Sequence, residues 1–159
     1  MQKIIPVLIL FLSSFFLSAQ ENTDEVSIKN VIETFFKGLH NGDSTLMGST
    51  LHKDLKIQTT FTNKEGVKTL ATQTKENLLT GIANKKAEIK YLEKLLSYDI
   101  KVDGNLASVW TPYEFYVNDN FSHCGANSFQ LFNNNGKWQI IYIVDMRRRD
   151  DCNALKAKK

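Results

Sequence analysis

Apolar residues recur at helical spacing in the first part of the chain. The apolar stripe Ile28–Leu39 predicts one helix, which Asn22 can cap and which Asn41-Gly42 ends. Asp43 can cap a second, short helix directly after this stop. A third helix is indicated by the apolar residues within 78–82. The first half of the chain is therefore expected to supply the helices of the fold.

Strand patterns flank the third helix and dominate after it. Residues 55–62 and 67–72 are rich in threonine and β-branched side chains, which favours two strands joined by a turn. From about Glu88 onwards apolar and polar positions alternate, with hairpin signals at Asp103-Gly104 and Asn135-Gly136. We therefore expect an α+β domain in which N-terminal helices pack on one face of a curved, mainly antiparallel sheet.

The register of the last hairpin predicts which side chains face the helices. A tight turn at Asn135-Gly136 and a longer, four-residue loop are both open. Either register places Asp145 and Arg147 on the outer face, unless a bulge intervenes. Both registers give the inner face the same set: His123, Asn127, Phe129, Leu131, Trp138, Ile140 and Tyr142.

The N-terminus has the layout of a secretory signal. Lys3 precedes the charge-free run Ile4–Leu17, and the small residues Ser18-Ala19 come before a polar chain. We expect cleavage after Ala19, with an uncleaved anchor as the alternative. The shortness of the segment resembles bacterial signals, which predicts a periplasmic or secreted protein. The expected organisation is a signal peptide over 1–19, a domain over 20–152 and a basic tail over 153–159.

Charge argues against a nucleic-acid partner. The chain carries 20 basic and 17 acidic residues, but Lys3 and the three tail lysines account for the excess. The run Arg147–Arg149 is followed at once by Asp150 and Asp151, so it is interpreted as a solvated strand end. We expect no nucleic-acid binding, and membrane contact only through the signal segment.

The two cysteines predict a disulfide. Cys124 and Cys152 are the only cysteines, and an exported protein meets an oxidising compartment. Two unpaired thiols are the alternative. The histidines lack the spacing of metal ligands, and no Cys-x-x-Cys occurs, so we expect neither a metal nor a cofactor. His40, at the end of the first helix, is interpreted as structural or solvated.

Several phrases of the sequence resemble one superfamily. Asn105–Phe115, His123–Leu131, Gly136–Ile140 and Asp145–Arg149 are similar to strands of the nuclear transport factor 2-like superfamily. Within it, they resemble the SnoaL-like, putative lumazine-binding branch of secreted bacterial proteins. The resemblance covers most of the mature chain. It implies a cone-shaped fold with a pocket between the helices and the sheet.

The predicted function is binding of a small aromatic or apolar ligand in that pocket, without demonstrated catalysis. Aromatic walls and a few polar groups are what such sites need. We predict the following ligand-binding residues, and no catalytic ones: His52, Trp110, Tyr113, His123, Asn127 and Tyr142.

Two other functions stay open. An isomerase or dehydratase would need a pocket acid beside a histidine or tyrosine, and the expected register places no acid there. A buried acid within hydrogen-bond reach of such a group would favour this alternative. The other alternative is a homodimerising module that uses Phe132, Ile141 and Ile143 on the outer sheet face.

Overall fold

The computed structural model describes the backbone of residues 5–155 and the side chains of residues 23–153. Three helices precede or interrupt a seven-stranded sheet. The helices are α1 (Ile5–Asn41), α2 (Ser44–Gly48) and α3 (Lys75–Ala83). The strands are β1 (Leu51–Thr62), β2 (Lys68–Gln73), β3 (Tyr91–Leu95), β4 (Asp99–Asp103), β5 (Leu106–Val117), β6 (Asn120–Asn134) and β7 (Lys137–Arg148), followed by a short 3₁₀ helix, Cys152–Leu155.

The start of α2 and the end of α1 lie where the sequence predicts them, but the start of α1 does not. Asp43 caps α2, because its Oδ1 accepts a hydrogen bond from the Leu46 N–H at 2.8 Å. Helix α1 ends where expected, and Gly42 follows it at a φ of +68°. The predicted start at Asn22 is wrong, since α1 begins at Ile5 and no glycine or proline interrupts residues 7–37.

The strands form one mixed sheet in the order β2-β1-β7-β6-β5-β3, with β4 also paired to β5. The β1–β7 pair is parallel and the other pairs are antiparallel. Helix α1 lies across one face, which we call the inner face. The expected α+β arrangement of helices on a mainly antiparallel sheet is confirmed.

The core lies where α1 crosses the central strands. Ile28 and Ile32 are fully buried, and the rings of Phe35 and Phe36 meet Phe129 of β6 edge-on at 5.9 and 6.1 Å between centroids. This is the apolar stripe that the helical spacing predicted. Aromatic edge-to-face contacts of this kind add to the burial energy.

A β-bulge changes the register of β7. Asn134 pairs with Lys137, as the tight turn predicts, and Leu131 pairs with Ile140. The next pair is Gln130 with Tyr142, so Ile141 is an extra residue. Beyond that point every side chain of β7 points to the face opposite the one predicted, because side chains alternate along a strand.

The bulge corrects four placements. Asp145 and Arg147 were expected on the outer face and lie on the inner one, where Asp145 pairs with Asn127. Tyr142 was expected inside and lies outside. Ile143 was expected on an outer dimer surface but is only 7% exposed and packs in the core.

The predicted disulfide is present. Cys124 of β6 is bonded to Cys152, which ties the C-terminal 3₁₀ helix to the outer face of the sheet. Within the part of the chain that the structure describes, we find no helix with the length and apolar character needed to cross a membrane.

Candidate functional site

A row of polar side chains crosses the inner face beyond the apolar core. Thr59 of β1, Asp145 of β7, Asn127 of β6 and Thr111 of β5 are consecutive partners across four strands. We call these four residues the polar row. Asp145, Asn127 and Thr111 are each at most 7% exposed. Such burial is costly unless every polar atom has a partner, so their contacts decide what the row can do.

Asp145 is the centre of the row. Its Oδ1 accepts a hydrogen bond from Thr59 Oγ1 at 2.6 Å, and its Oδ2 accepts one from Tyr113 Oη at 3.3 Å. Arg147 Nε donates to Oδ2 at 2.6 Å and balances the charge. Burial, and then the neighbouring Asp145 carboxylate, raise the pKa of Tyr113, which therefore stays protonated and serves as a donor.

A glycine lets Tyr113 reach this carboxylate. Tyr113 lies on β5 and Asp145 on β7, so the tyrosine hydroxyl must pass over β6 at Gly125, its register partner. A Cβ at Gly125 would stand 2.9 Å from Tyr113 Oη and would collide with the Met146 carbonyl oxygen. A side chain at this position would break the contact between the tyrosine and the aspartate.

Glu93 connects the polar row to the helix layer. It lies on β3, and its Oε1 accepts a hydrogen bond from Asn127 Nδ2 at 2.7 Å. Burial raises the pKa of Glu93 to about 7, against the opposing effect of the Asn127 hydrogen bond. A carboxyl of this kind exchanges its proton near neutral pH, which suits both hydrogen bonding to a neutral ligand and proton transfer.

Glu93 also lines a cavity of about 310 Å³ between α1 and β3. We call it the α1–β3 cleft. Its walls combine aromatic or aliphatic side chains with a few polar ones: Glu33, Phe36, Lys37, His40, Asn41, Glu93, Leu95 and Tyr98.

His40 and Tyr98 present neutral polar groups to the cleft. His40 Nε2 accepts a hydrogen bond from the Glu93 backbone N–H at 2.9 Å, which leaves the Nδ1 proton as its donor. Burial lowers the pKa of His40. Burial and then Glu33 raise the pKa of Tyr98 to about 12. His40, interpreted from the sequence as structural or solvated, makes a structural backbone hydrogen bond and also lies on the cleft wall.

We expect Glu93 to make stability fall as the pH rises through neutrality. Between about pH 6.5 and pH 8 the unfolded carboxyl is ionised while native Glu93 keeps part of its proton, so the native state binds more protons. The free energy of unfolding should drop by roughly 0.5–1 kcal/mol over this window relative to Glu93→Gln. Urea denaturation of both proteins checks this, since the histidines contribute equally to each. Parallel profiles would contradict it.

Three of the predicted ligand-binding residues come together on the inner face. Asn127 belongs to the polar row, and Tyr113 lies beside the row. His123 lies on β6, four residues before Asn127. The His123 ring stacks on Phe115 at 4.9 Å and meets Tyr113 edge-on at 5.8 Å. Burial, and then Arg147, lower the pKa of His123 to about 4, so its ring is neutral at pH 7. None of these three is among the residues that line the α1–β3 cleft; Asn127 acts on it through Glu93.

The other three predicted residues lie on the outer face. Trp110 alternates with buried Val109 and Thr111 and is 49% exposed, so it is not a wall of the inner pocket. The His52 ring meets Phe132 edge-on at 6.2 Å. Tyr142, displaced by the bulge, donates a hydrogen bond to Gln58 and lines a wide outer groove of about 980 Å³.

Sequence reasoning missed the acids of the site for two different reasons. Glu93 carried a signal, because it falls between Tyr91 and Leu95 in the period-two pattern and therefore shares their face. Asp145 carried none, because the bulge that turns it inward leaves no mark in the alternation. Among the described residues, no group of three or more His, Cys, Asp or Glu side chains is placed to hold a metal ion.

Comparison with known proteins agrees with the geometry of the fold. The model of a family described as putative lumazine-binding matches residues 23–144. A search of curated proteins finds no match. Many solved structures are similar, at identities that carry the fold alone.

Three of these structures illustrate the likeness. An NTF2-like protein of unknown function from Shewanella baltica is 18% identical with a TM-score of 0.58, over 80% of this chain and 96% of its own. An NTF2-like protein from Cytophaga hutchinsonii gives 16% and 0.61, over 76% and 95%. One with a cystatin-like fold from Novosphingobium aromaticivorans gives 14% and 0.67, over 91% and 96%. The chain belongs to the family described as putative lumazine-binding, and it has an NTF2-like fold.

Proposed function

We propose that this is an exported protein that binds a small, flat aromatic or heteroaromatic molecule in the α1–β3 cleft. The observation that carries the proposal is a partly buried carboxyl, Glu93, facing a cavity with apolar walls. Phe36, Leu95 and Tyr98 supply the walls, and the volume of about 310 Å³ lies at the lower end of ligand sites, roughly 300–1,000 Å³.

The polar groups of the cleft suit a ligand with lactam-like edges. A protonated carboxyl both donates and accepts, so Glu93 can pair with an adjacent N–H and C=O of a heterocycle. His40 adds a donor through Nδ1. The family description names lumazine, a compound of this chemical type, which supports the choice of ligand class. In this proposal Asn127 orients Glu93, and Tyr113 and His123 support the polar row behind it.

The binding proposal is tested with lumazine itself. We expect the ligand's fluorescence to change saturably on addition of protein, and Glu93→Ala to weaken binding by about tenfold, the value of one good hydrogen bond. Glu93→Gln should bind with an affinity that no longer falls as the pH rises through 7. Glu88→Gln, on an exposed acid, is the matched control. Native mass spectrometry of protein from its own periplasm should show a retained small molecule. Equal affinity in wild type and Glu93→Ala would overturn the assignment of the cleft.

A second function, proton transfer of the isomerase or dehydratase type, is favoured by one specific contact. Asp145 is a buried acid within hydrogen-bond reach of Tyr113, and an enzyme of this type needs such a pair. Asp145 already has three donors, so Glu93, with its pKa of about 7, is the better general base. The test is incorporation of solvent deuterium at an acidic carbon of the retained ligand. Incorporation that Glu93→Gln leaves unchanged would exclude Glu93 from this role.

Export is the remaining part of the proposal. The charge-free run that ends in Ser18-Ala19 is the basis for it. We expect the mature chain of exported protein to begin at or next to Gln20. N-terminal sequencing of protein recovered from the periplasm or medium is the measurement, and a chain that still starts at Met1 would show that the segment is retained.

A further inference from the structure

Arg147 lies on the inner face near the end of β7, and the two terminal nitrogens of its guanidinium make no hydrogen bond to the described residues. The side chain is 53% exposed, and only Nε is engaged, in the hydrogen bond to Asp145 Oδ2 at 2.6 Å. Among the described residues, none accepts a hydrogen bond from its two terminal nitrogens. An arginine that served only to neutralise Asp145 would be bound more strongly by two parallel hydrogen bonds to the carboxylate. Arg147 makes only the single hydrogen bond from Nε.

The guanidinium is held in place by the polar row. Asp145, which anchors it, is itself fixed by Thr59 and Tyr113 and is only 7% exposed. An anchored guanidinium loses less conformational entropy when it binds an anion than a free surface arginine does. The anchor therefore preorganises the two terminal nitrogens as a planar donor pair.

The surroundings favour an anion over a cation. Arg149 lies two residues further along, and the charges of Arg147 and Arg149 lower the pKa of His123 against the opposing effect of Asp145. The His123 ring, stacked on Phe115, is neutral at pH 7 and forms an aromatic surface near the fork. Arg147 is not among the residues that line the α1–β3 cleft, but its charge reaches Glu93 and opposes the rise in the pKa of that carboxyl.

We propose that Arg147 is the core of a second binding site, which takes the oxyanion group of a small molecule, a carboxylate or a phosphate, through its two terminal nitrogens. Asp145 acts as the positioning residue of this site. The site does not depend on the proposed function of the cleft. It can be occupied or empty while the cleft is filled.

The site is tested by titrating the isotopically labelled protein with benzoate and, separately, with inorganic phosphate. The NMR signals of Arg147 Nε–H and of the amides around Gly125 report binding. We expect saturable shifts with at least one of the two, and the arm that saturates identifies the anion. Arg147→Gln should weaken binding at least about tenfold, and Arg147→Lys, which keeps the charge and loses the fork, at least about fivefold. Arg149→Gln, the matched control, should stay within about twofold.

Three outcomes would overturn the proposal. The first is that neither anion gives a saturable shift, and the second is that Arg147→Gln binds with the same affinity as the wild type. The third is that Arg149→Gln loses as much affinity as Arg147→Gln, which would mean a diffuse positive field. Asp145→Asn removes the ion pair that holds Arg147 and also a negative charge beside the site, so its readout is the Arg147 Nε–H signal of the free protein rather than anion affinity. This signal should shift and exchange faster in Asp145→Asn, and an unchanged signal would show that Asp145 does not position the guanidinium. Lumazine affinity is measured on the same variants at about pH 5, where Glu93 keeps its proton, because Arg147 and Asp145 both act on the pKa of Glu93. A failure of the anion site leaves lumazine affinity unchanged at that pH.

Discussion

Phe129→Ala is expected to lower the free energy of unfolding by about 3 to 5 kcal/mol. Phe129 is fully buried at the point where α1 crosses the sheet, and its ring contacts both Phe35 and Phe36. Removing the ring loses its transfer free energy and leaves a cavity that a helix and two strands cannot close without moving.

Phe121→Ala is the control for this substitution. Phe121 lies on the same strand and is 47% exposed. Its substitution by alanine removes the same number of atoms. It should cost less than about 1 kcal/mol, the range of most exposed positions. Chemical denaturation of both variants gives the comparison. Similar losses for the two would mean that α1 does not pack on β6 as described.

The elements of this fold were predictable wherever a periodic pattern had one buried face. The stripe Ile28–Leu39 and the alternation along β5 and β6 each follow from a single covered face, so their inward residues could be chosen from the sequence. β3 falls within the alternation that begins near Glu88 but was not delimited as a separate strand, because it is only five residues long. The start of α1 was missed because a favourable cap at Asn22 does not stop a helix that nothing interrupts upstream.

The site was predictable only up to the bulge. Tyr113, His123 and Asn127 lie in the regular stretch of the β5–β6 pair, and the structure brings them together. A single extra residue, Ile141, then reverses the faces of the strand that follows it and turns Asp145 inward. Bulges arise from tertiary strain and twist rather than from local composition, so no pattern in β7 announces one.

The reversal also changes the balance between functions. With Asp145 outside, the inner face would hold aromatic and neutral groups, which suits passive binding. With Asp145 inside, the same face holds a buried carboxylate, a tyrosine donor and, through Asn127, a second carboxyl at the cleft. The proposal for Arg147 depends on this placement, since Asp145 is its partner, whereas Asn127, the partner of Glu93, lies on the inner face in either register.

Breaking the disulfide is expected to have an effect of similar size to the loss of Phe129, and to leave the site intact. The bond joins positions 28 residues apart, for which the chain-entropy model assigns about 3 to 4 kcal/mol. Cys152→Ser should therefore lower the free energy of unfolding by that amount. Cys124 is fully buried on the outer face, on the opposite side of the sheet from Asn127, so lumazine affinity should not change.

Denaturation with and without reductant separates the bond from the substitution. Reductant should destabilise the wild type to the level of Cys152→Ser and leave the variant unchanged. Thiol labelling of the denatured wild type, without reductant, should find no reactive thiol, because the two cysteines are bonded to each other. Two labelled thiols would show that the bond does not form in the exported protein. A wild type that reductant does not destabilise would show that the C-terminal 3₁₀ helix is held to the sheet by its packing rather than by the cross-link.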